Sequence, residues 1–250
     1  MNLPGLVVPV LLVGAWELLV RIDVLTFTYL PPPSDIVAAV GGLVTDDDLA
    51  GRVVHTTAIA LLAWAVALAV ALAIGTAIGL SPKTWRLSMA SIEVMRTLPA
   101  VALVPVVLLV LGPTVRAEIV VAAYAACWPM LISVASGLQG APPRLIDVAR
   151  QMRLSKTRVV FSLMLPAAAP LILSGARLAL GISLIVVVLA EMVGNPQGLG
   201  AGIVEMQMAL QPESMWVYVL CVALLGTALN AALLLTARLS FSNLLVKDRP

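Results

Sequence analysis

From Val53 to Leu80 the chain carries no Asp, Glu, Lys or Arg. A helix of that length rises about 40 Å at ~1.5 Å per residue, more than the ~30 Å hydrocarbon thickness of a bilayer. Lipid offers no partner for backbone N–H and C=O groups, so such a run satisfies them internally, as a helix. Five further runs of this kind follow the same logic: Leu3 to Val20, Met89 to Leu111, Val115 to Leu138, Ala168 to Val193 and Met215 to Leu239. Glu17 falls near the end of the first, at the expected interface. Pro99 and Pro105 interrupt the third run and Pro129 lies in the fourth, which is tolerated where helices pack together or line a cavity. Gly75 and Gly79 form a small-xxx-small pair suited to close helix contact. The expectation is an all-α polytopic membrane protein with about six transmembrane helices. With 61% apolar and 11% charged residues, the composition excludes an ordinary soluble domain.

Polar punctuation separates the runs. Tyr29 to Asp35 precedes a short interfacial helix through Leu43, with Ser34 or Asp35 as its cap, and the acids Asp46, Asp47 and Asp48 follow. Gly112-Pro113 marks a turn, Gly194 to Gly200 breaks the chain, and Ile203 to Leu210 suits a short re-entrant or surface helix. One membrane domain, 1–250, is expected: 1–50 holds the first span and an outer interfacial segment, 51–240 a five-helix core, and 241–250 a tail. The first run lacks a basic flank and a small-residue cleavage site, and reads as a retained span. Cys127 and Cys221 both lie in apolar runs, which argues against a disulfide framework.

Between the fourth and fifth spans lies the most basic stretch, Gly140 to Pro170, with Arg144, Arg150, Arg153, Lys156 and Arg158 against Asp147. Residues 141–156 form its centre. Pro142 and Pro143 suit a first helical turn. Leu145, Ala149 and Met152, widened by Ile146 and Val148, give one apolar face. Such a helix lies on lipid or docks in a partner's groove. Charge asymmetry sets its side. Ten basic residues (Lys83, Arg86, Arg144, Arg150, Arg153, Lys156, Arg158, Arg238, Lys247, Arg249) share a side with it, against three (Arg21, Arg52, Arg116) on the other. Positive-inside placement makes the basic loop and both termini cytoplasmic.

Catalytic chemistry is sparse. His55 is the only histidine, which leaves a His-based metal site or a Ser-His-Asp triad little to work with. No GxxxxGK[ST] phosphate loop occurs, so ATP hydrolysis by that route belongs to another chain. No catalytic residue, cofactor, metal or nucleic-acid site is expected. Ionisable residues in spans mark paths or bundle contacts. Glu191 is the candidate for the translocation path or gate, or an acceptor for the loop after it. Arg96 stands three residues after Glu93, a spacing for an interfacial ion pair. Arg177 suits a snorkelling or bundle role, and Met206, Met208 and Met215 suit packing.

Asp147-Val148-Ala149, three residues, Arg153, nine residues and Leu163-Met164-Leu165-Pro166 together resemble the EAA motif of binding-protein-dependent ABC importer permeases. The resemblance extends through Leu30-Pro31-Pro32-Pro33-Ser34, Arg96-Thr97-Leu98-Pro99 with Ala102 and Pro105, Leu111-Gly112, Trp128-Pro129, and Glu191-Met192 with Gly198-Leu199-Gly200. It points to the branch of sulfonate, taurine, nitrate and pyrimidine-precursor importers. It implies a type I permease in a bacterial inner membrane, paired with a second permease, identical or paralogous. A cytoplasmic ABC ATPase dimer would dock below and an extracytoplasmic substrate-binding protein above. The helix from about Pro143 to Leu154 would be the coupling helix. Leu145, Ile146, Asp147, Ala149, Arg150, Met152, Arg153, Leu165 and Pro166 would then meet the ATPase, and Glu191, Arg96 and Pro99 would belong to the path or gate.

Two positions depart from the motif: Asp147 replaces Glu, and Arg153 replaces a glycine that permits a turn with positive φ. Either the turn is rebuilt or Arg153 bridges to an ATPase acid, and a degenerate motif suits one half of a heterodimer. The competing class is an ATP-independent secondary transporter or channel. It would call for mid-bilayer ionisable groups and internal repeats, and would leave the basic helix without a task. The branch resemblance favours small organic anions or heterocycles as substrates.

Overall fold

A computed structural model describes residues 3–46 and 48–245; Asp47, and the tail residues Lys247 and Arg249 with their neighbours, lie outside them. For Ile146, Arg150 and a few other positions only the backbone is described. Among the described residues, four helices are long and apolar enough to cross a membrane: α3 (Leu49–Gly79), α6 (Val115–Gln139), the continuous Lys156–Gly194 helix, and Pro212–Leu239 of α11 (Pro212–Leu245). Lys156–Gly194 is built from a single turn, α8 (Lys156–Val159), a π-helical turn (Val160–Met164) and α9 (Leu165–Gly194). Helix α11 continues through Leu245, so the first half of the expected tail is helical instead.

The third expected span differs from a single rod starting near Met89. It is a bent pair, α4 (Pro82–Thr97) and α5 (Ala100–Leu111), meeting at 77°. The cause is Pro99, which has no N–H to give and disfavours a helical residue before it. Leu98 is accordingly extended, at ψ 119°. Pro105, by contrast, is carried inside α5. The first expected span is α1 (Leu3–Arg21), 19 residues long. Helix α2 (Pro33–Asp46) starts one residue before Ser34, so Ser34 does not cap it. Its hydroxyl instead donates to Glu17 Oε1 and its N–H to Glu17 Oε2, tying α1 to α2.

The core is small-residue packing. Ala60, Ala63, Ala67 and Ala71 line one stripe of α3 and are at most 1% exposed. They meet Ala122, Ala126 and Ala135 of α6 and Ala176 and Ala179 of α9 in one cluster. A Cβ on Gly75 would stand 2.9 Å from Val134 Cβ, and one on Gly79 3.0 Å from Ala135 Cα. This is the close approach that the small-xxx-small spacing calls for. Helices α3 and α6 run parallel and α9 antiparallel to both. Polar ties cross the same seams: Ser183 Oγ donates to Ala60 O at 2.8 Å, and Trp64 Nε1 to Ala176 O at 2.8 Å.

The bundle therefore has two ends. One carries α7 (Pro143–Gln151) between α6 and α8. The other carries α10 (Gly198–Met208), which follows the Asn195–Gln197 break and covers the ends of α3 and α9. Leu109, Val110 and Leu224, each at least 69% exposed, belong to the apolar outer surface that lipid would cover.

Candidate functional site

At the α10 end, three helices deliver polar side chains to one buried spot. Glu191, in the last turn of α9, is 2% exposed, and Glu118, in the first turn of α6, is 0% exposed. Thr56 of α3 donates to Glu191 Oε1 at 2.8 Å, and the Gly200 N–H donates to Oε2 at 2.9 Å. Thr56 also accepts from the Leu199 N–H at 2.9 Å. Asn195 Nδ2 donates to Glu118 Oε1, and Asn195 Oδ1 accepts from the Gln197 N–H. Two of the N–H groups that open α10 are thus satisfied by side chains of α3 and α9. Negative charge at a helix N-terminus is also favourable to the helix dipole. Gly198 adopts φ +90°, and a Cβ on Gly200 would stand 2.2 Å from Val188 O, so both glycines let α10 close onto Glu191.

A second polar group rims this cluster. Arg52 pairs with Glu205 at 2.6 Å and stacks over Tyr218, its Cζ 5.7 Å from the ring centroid. Asp48, Arg52, His55 and Gln197 border a cavity of about 530 Å³. His55 Nε2 lies 3.5 Å from Glu118 Oε2.

Midway along the bundle, the bend between α4 and α5 opens a cavity of about 520 Å³ lined by Arg96, Thr97, Pro99, Tyr124, Trp128 and Ile182, among others. Arg96 and Pro99 share it; Glu191 is not among its walls. Arg96 pairs with Glu93 at 2.6 Å, as the spacing predicts. Tyr124 Oη donates to Met95 O at 2.8 Å and holds the helix just before the bend.

At the opposite end, α7 stops in a left-handed turn. Arg153 adopts φ +52°, and the Leu154 N–H donates to Ala149 O at 3.0 Å. That pairing from the third residue past a helix back to its last turn is a Schellman closure. The turn is therefore not rebuilt to suit arginine: the glycine-like conformation persists with a side chain on it. Ala149 is buried, Asp147 and Arg153 are exposed, and Val148 and Met152 are 47% and 65% exposed. Leu165 is half-buried and Pro166, in the first turn of α9, is exposed.

Residues 50–240 match the family described as the binding-protein-dependent transport system inner membrane component. The chain belongs to that family. It is 32% identical to the putative aliphatic sulfonates transport permease protein SsuC of Escherichia coli, over 92% of this chain and 88% of the relative. The protein of the same name in Bacillus subtilis is 28% identical, over 89% and 80%. The nitrate import permease protein NrtB of Leptolyngbya laminosa is 32% identical over 56% and 50%. Among solved structures, a chain of the MetNI methionine ABC transporter in an inward-facing conformation superposes with a TM-score of 0.58 at 20% identity, over 74% of this chain and 95% of that one. The protein is thus a multi-pass membrane permease of the binding-protein-dependent ABC importers, with their type I fold.

Within this permease, the residues singled out from sequence fall into three places: the α7 loop, the bend cavity, and the α10 cluster. Arg177 makes a bundle contact, its Nε donating to Asn230 Oδ1 of α11 at 2.6 Å. Both cysteines are free. Sequence reasoning missed Thr56, Glu118 and Asn195, and set His55 aside. Their only linear signal was that polar groups beginning or ending apolar runs need partners.

Proposed function

We propose that this permease imports a small anion of the sulfonate or nitrate type, and that α7 couples its movement to a separate ATPase. The substrate class rests on the names of its relatives. The coupling role rests on one observation: α7 is a capped helix between two spans that leaves Val148 and Met152, one turn apart, exposed on its surface. Exposed apolar side chains at i and i+4 on a short basic helix suit a groove in a partner protein. The charge asymmetry of the loops gives α7 a cytoplasmic position, where an ABC ATPase dimer would meet it. The α10 end would then face an extracytoplasmic binding protein, with a second permease, identical or paralogous, completing the path. ATPase closure would shift α7 and bias the bend cavity between two access states.

Val148→Lys tests this coupling. Val148 is 47% exposed, so the variant should fold with unchanged thermal stability. Transport and binding-protein-stimulated ATP hydrolysis in proteoliposomes should both fall at least tenfold. Wild-type transport by this variant would end the coupling reading.

A further inference from the structure

His55 on α3, Glu118 on α6 and Glu191 on α9 each offer a ligand atom, and the three atoms lie within 4.8 Å of one another. We propose that these side chains bind one divalent transition cation of the zinc class, clasping the three core helices together at the α10 end. One imidazole and two carboxylates are a donor set for such an ion. The separation of His55 Nε2 and Glu118 Oε2, 3.5 Å, is close to the edge of a zinc tetrahedron. Two ligands at ~2.1 Å and a tetrahedral angle stand about 3.4 Å apart. The carboxylate of Glu191 offers an oxygen within 4.8 Å of both.

Those two atoms are also among the four buried side-chain polar atoms without a hydrogen-bond partner among the described residues, the other two being the indole nitrogens of Trp16 and Trp128. Glu118 is fully buried, yet among the described residues Oε2 accepts no hydrogen bond, and His55 Nε2 has no hydrogen-bond partner either. Buried polar atoms without partners are rare, and an ion is one of the groups that accounts for them. The remaining contacts have the form of an outer shell. Asn195 holds Glu118 by Oε1, and Thr56 and the Gly200 N–H hold Glu191. Such bonds orient metal-binding carboxylates. Charge points the same way, since a cation between two buried carboxylates offsets their mutual repulsion. The nearby Arg52 is engaged with Glu205 and Tyr218, and Asp48 adds further negative charge at the rim. His55 also borders the cavity of about 530 Å³ beside Asp48 and Gln197, which supplies a path for entry and a place for a fourth, solvent ligand.

The test uses the full chain in nanodiscs, purified through a tag without histidine, stripped by chelator and titrated with Co2+. One Co2+ per chain should bind with visible bands of a four- or five-coordinate N/O site, and Zn2+ should displace it. His55→Ala and Glu118→Gln should each weaken binding at least tenfold. Because His55 is the sole histidine, X-ray absorption of the wild-type Zn2+ form should show a single imidazole, an assignment that needs no variant. No stoichiometric Co2+ binding would overturn the proposal. Binding without an imidazole, or undiminished in both variants, would overturn it equally.

Discussion

At the α10 end, Glu191 is 2% exposed and both its oxygens accept hydrogen bonds from other segments. At the α7 end, Arg153 is exposed, and its turn is closed by backbone groups of the same loop. Both are breaks in a helical chain, each with backbone groups to satisfy. The first break is held by groups far apart in sequence: Thr56 and Leu199 are separated by 143 residues, Glu118 and Asn195 by 77. The second is held locally and keeps its outward surface clear. If α7 couples to a partner as proposed, this division lets one end move while the core helices stay registered. Long-range buried bonds resist sliding of α3, α6 and α9, whereas a locally closed helix moves as a unit.

Glu191→Ala should have the largest effect at the α10 end. It removes the acceptor of Thr56 and of the Gly200 N–H inside the protein, at about 1–3 kcal/mol per buried group left unpaired. The thermal unfolding midpoint in detergent should drop by several degrees, with Glu191→Gln losing less because its side-chain oxygen still accepts. An unchanged midpoint for Glu191→Ala would mean that the α10 end is not held by this carboxylate.

Gly200→Ala probes the same end by crowding instead of deletion. The added Cβ would lie 2.2 Å from Val188 O, a backbone atom that cannot rotate away. Helix α10 must shift from α9, lengthening the Glu191 contact, at about 1–3 kcal/mol for overpacking. Limited proteolysis should cut the Asn195–Gln197 break faster than in the wild type. Equal cleavage rates would show that α10 docks less tightly than this contact implies.

The two ends also differ in how far a linear reading reaches them. The α7 loop was legible because everything it uses is adjacent: prolines at its start, an apolar stripe, basic flanks and one odd residue at the glycine position. Glu191 was visible as an acid in an apolar run, and its part as acceptor for the following loop was one of the two readings. Thr56, Glu118 and Asn195 were not visible, since each is unremarkable locally and acquires a role only when α3, α6 and α9 meet. His55 was set aside for being a single histidine, a count that ignores carboxylates brought beside it by folding. The bend at Pro99 was legible as an interruption, but its 77° angle depends on Leu98 becoming extended and on Tyr124 holding Met95.

The mildest test sits at the α7 end. Arginine at φ +52° brings its Cβ close to a neighbouring carbonyl, a strain of roughly 1–2 kcal/mol that glycine escapes. Glycine returns part of this through the greater freedom of its unfolded chain. Arg153→Gly should therefore raise the unfolding midpoint by a degree or two, and should leave transport intact, since the residue it introduces is the one the motif prefers. Leu210, at φ +58° just past α10, is the matched control, because it closes the same kind of turn. There the Gln211 N–H donates to Met206 O at 3.0 Å, five residues back, as Leu154 does to Ala149. If Leu210→Gly stabilises and Arg153→Gly does not, the guanidinium contributes enough at the α7 end to offset the strain. The locally closed turn would then have a side-chain tie of its own, and the contrast between the two ends would narrow.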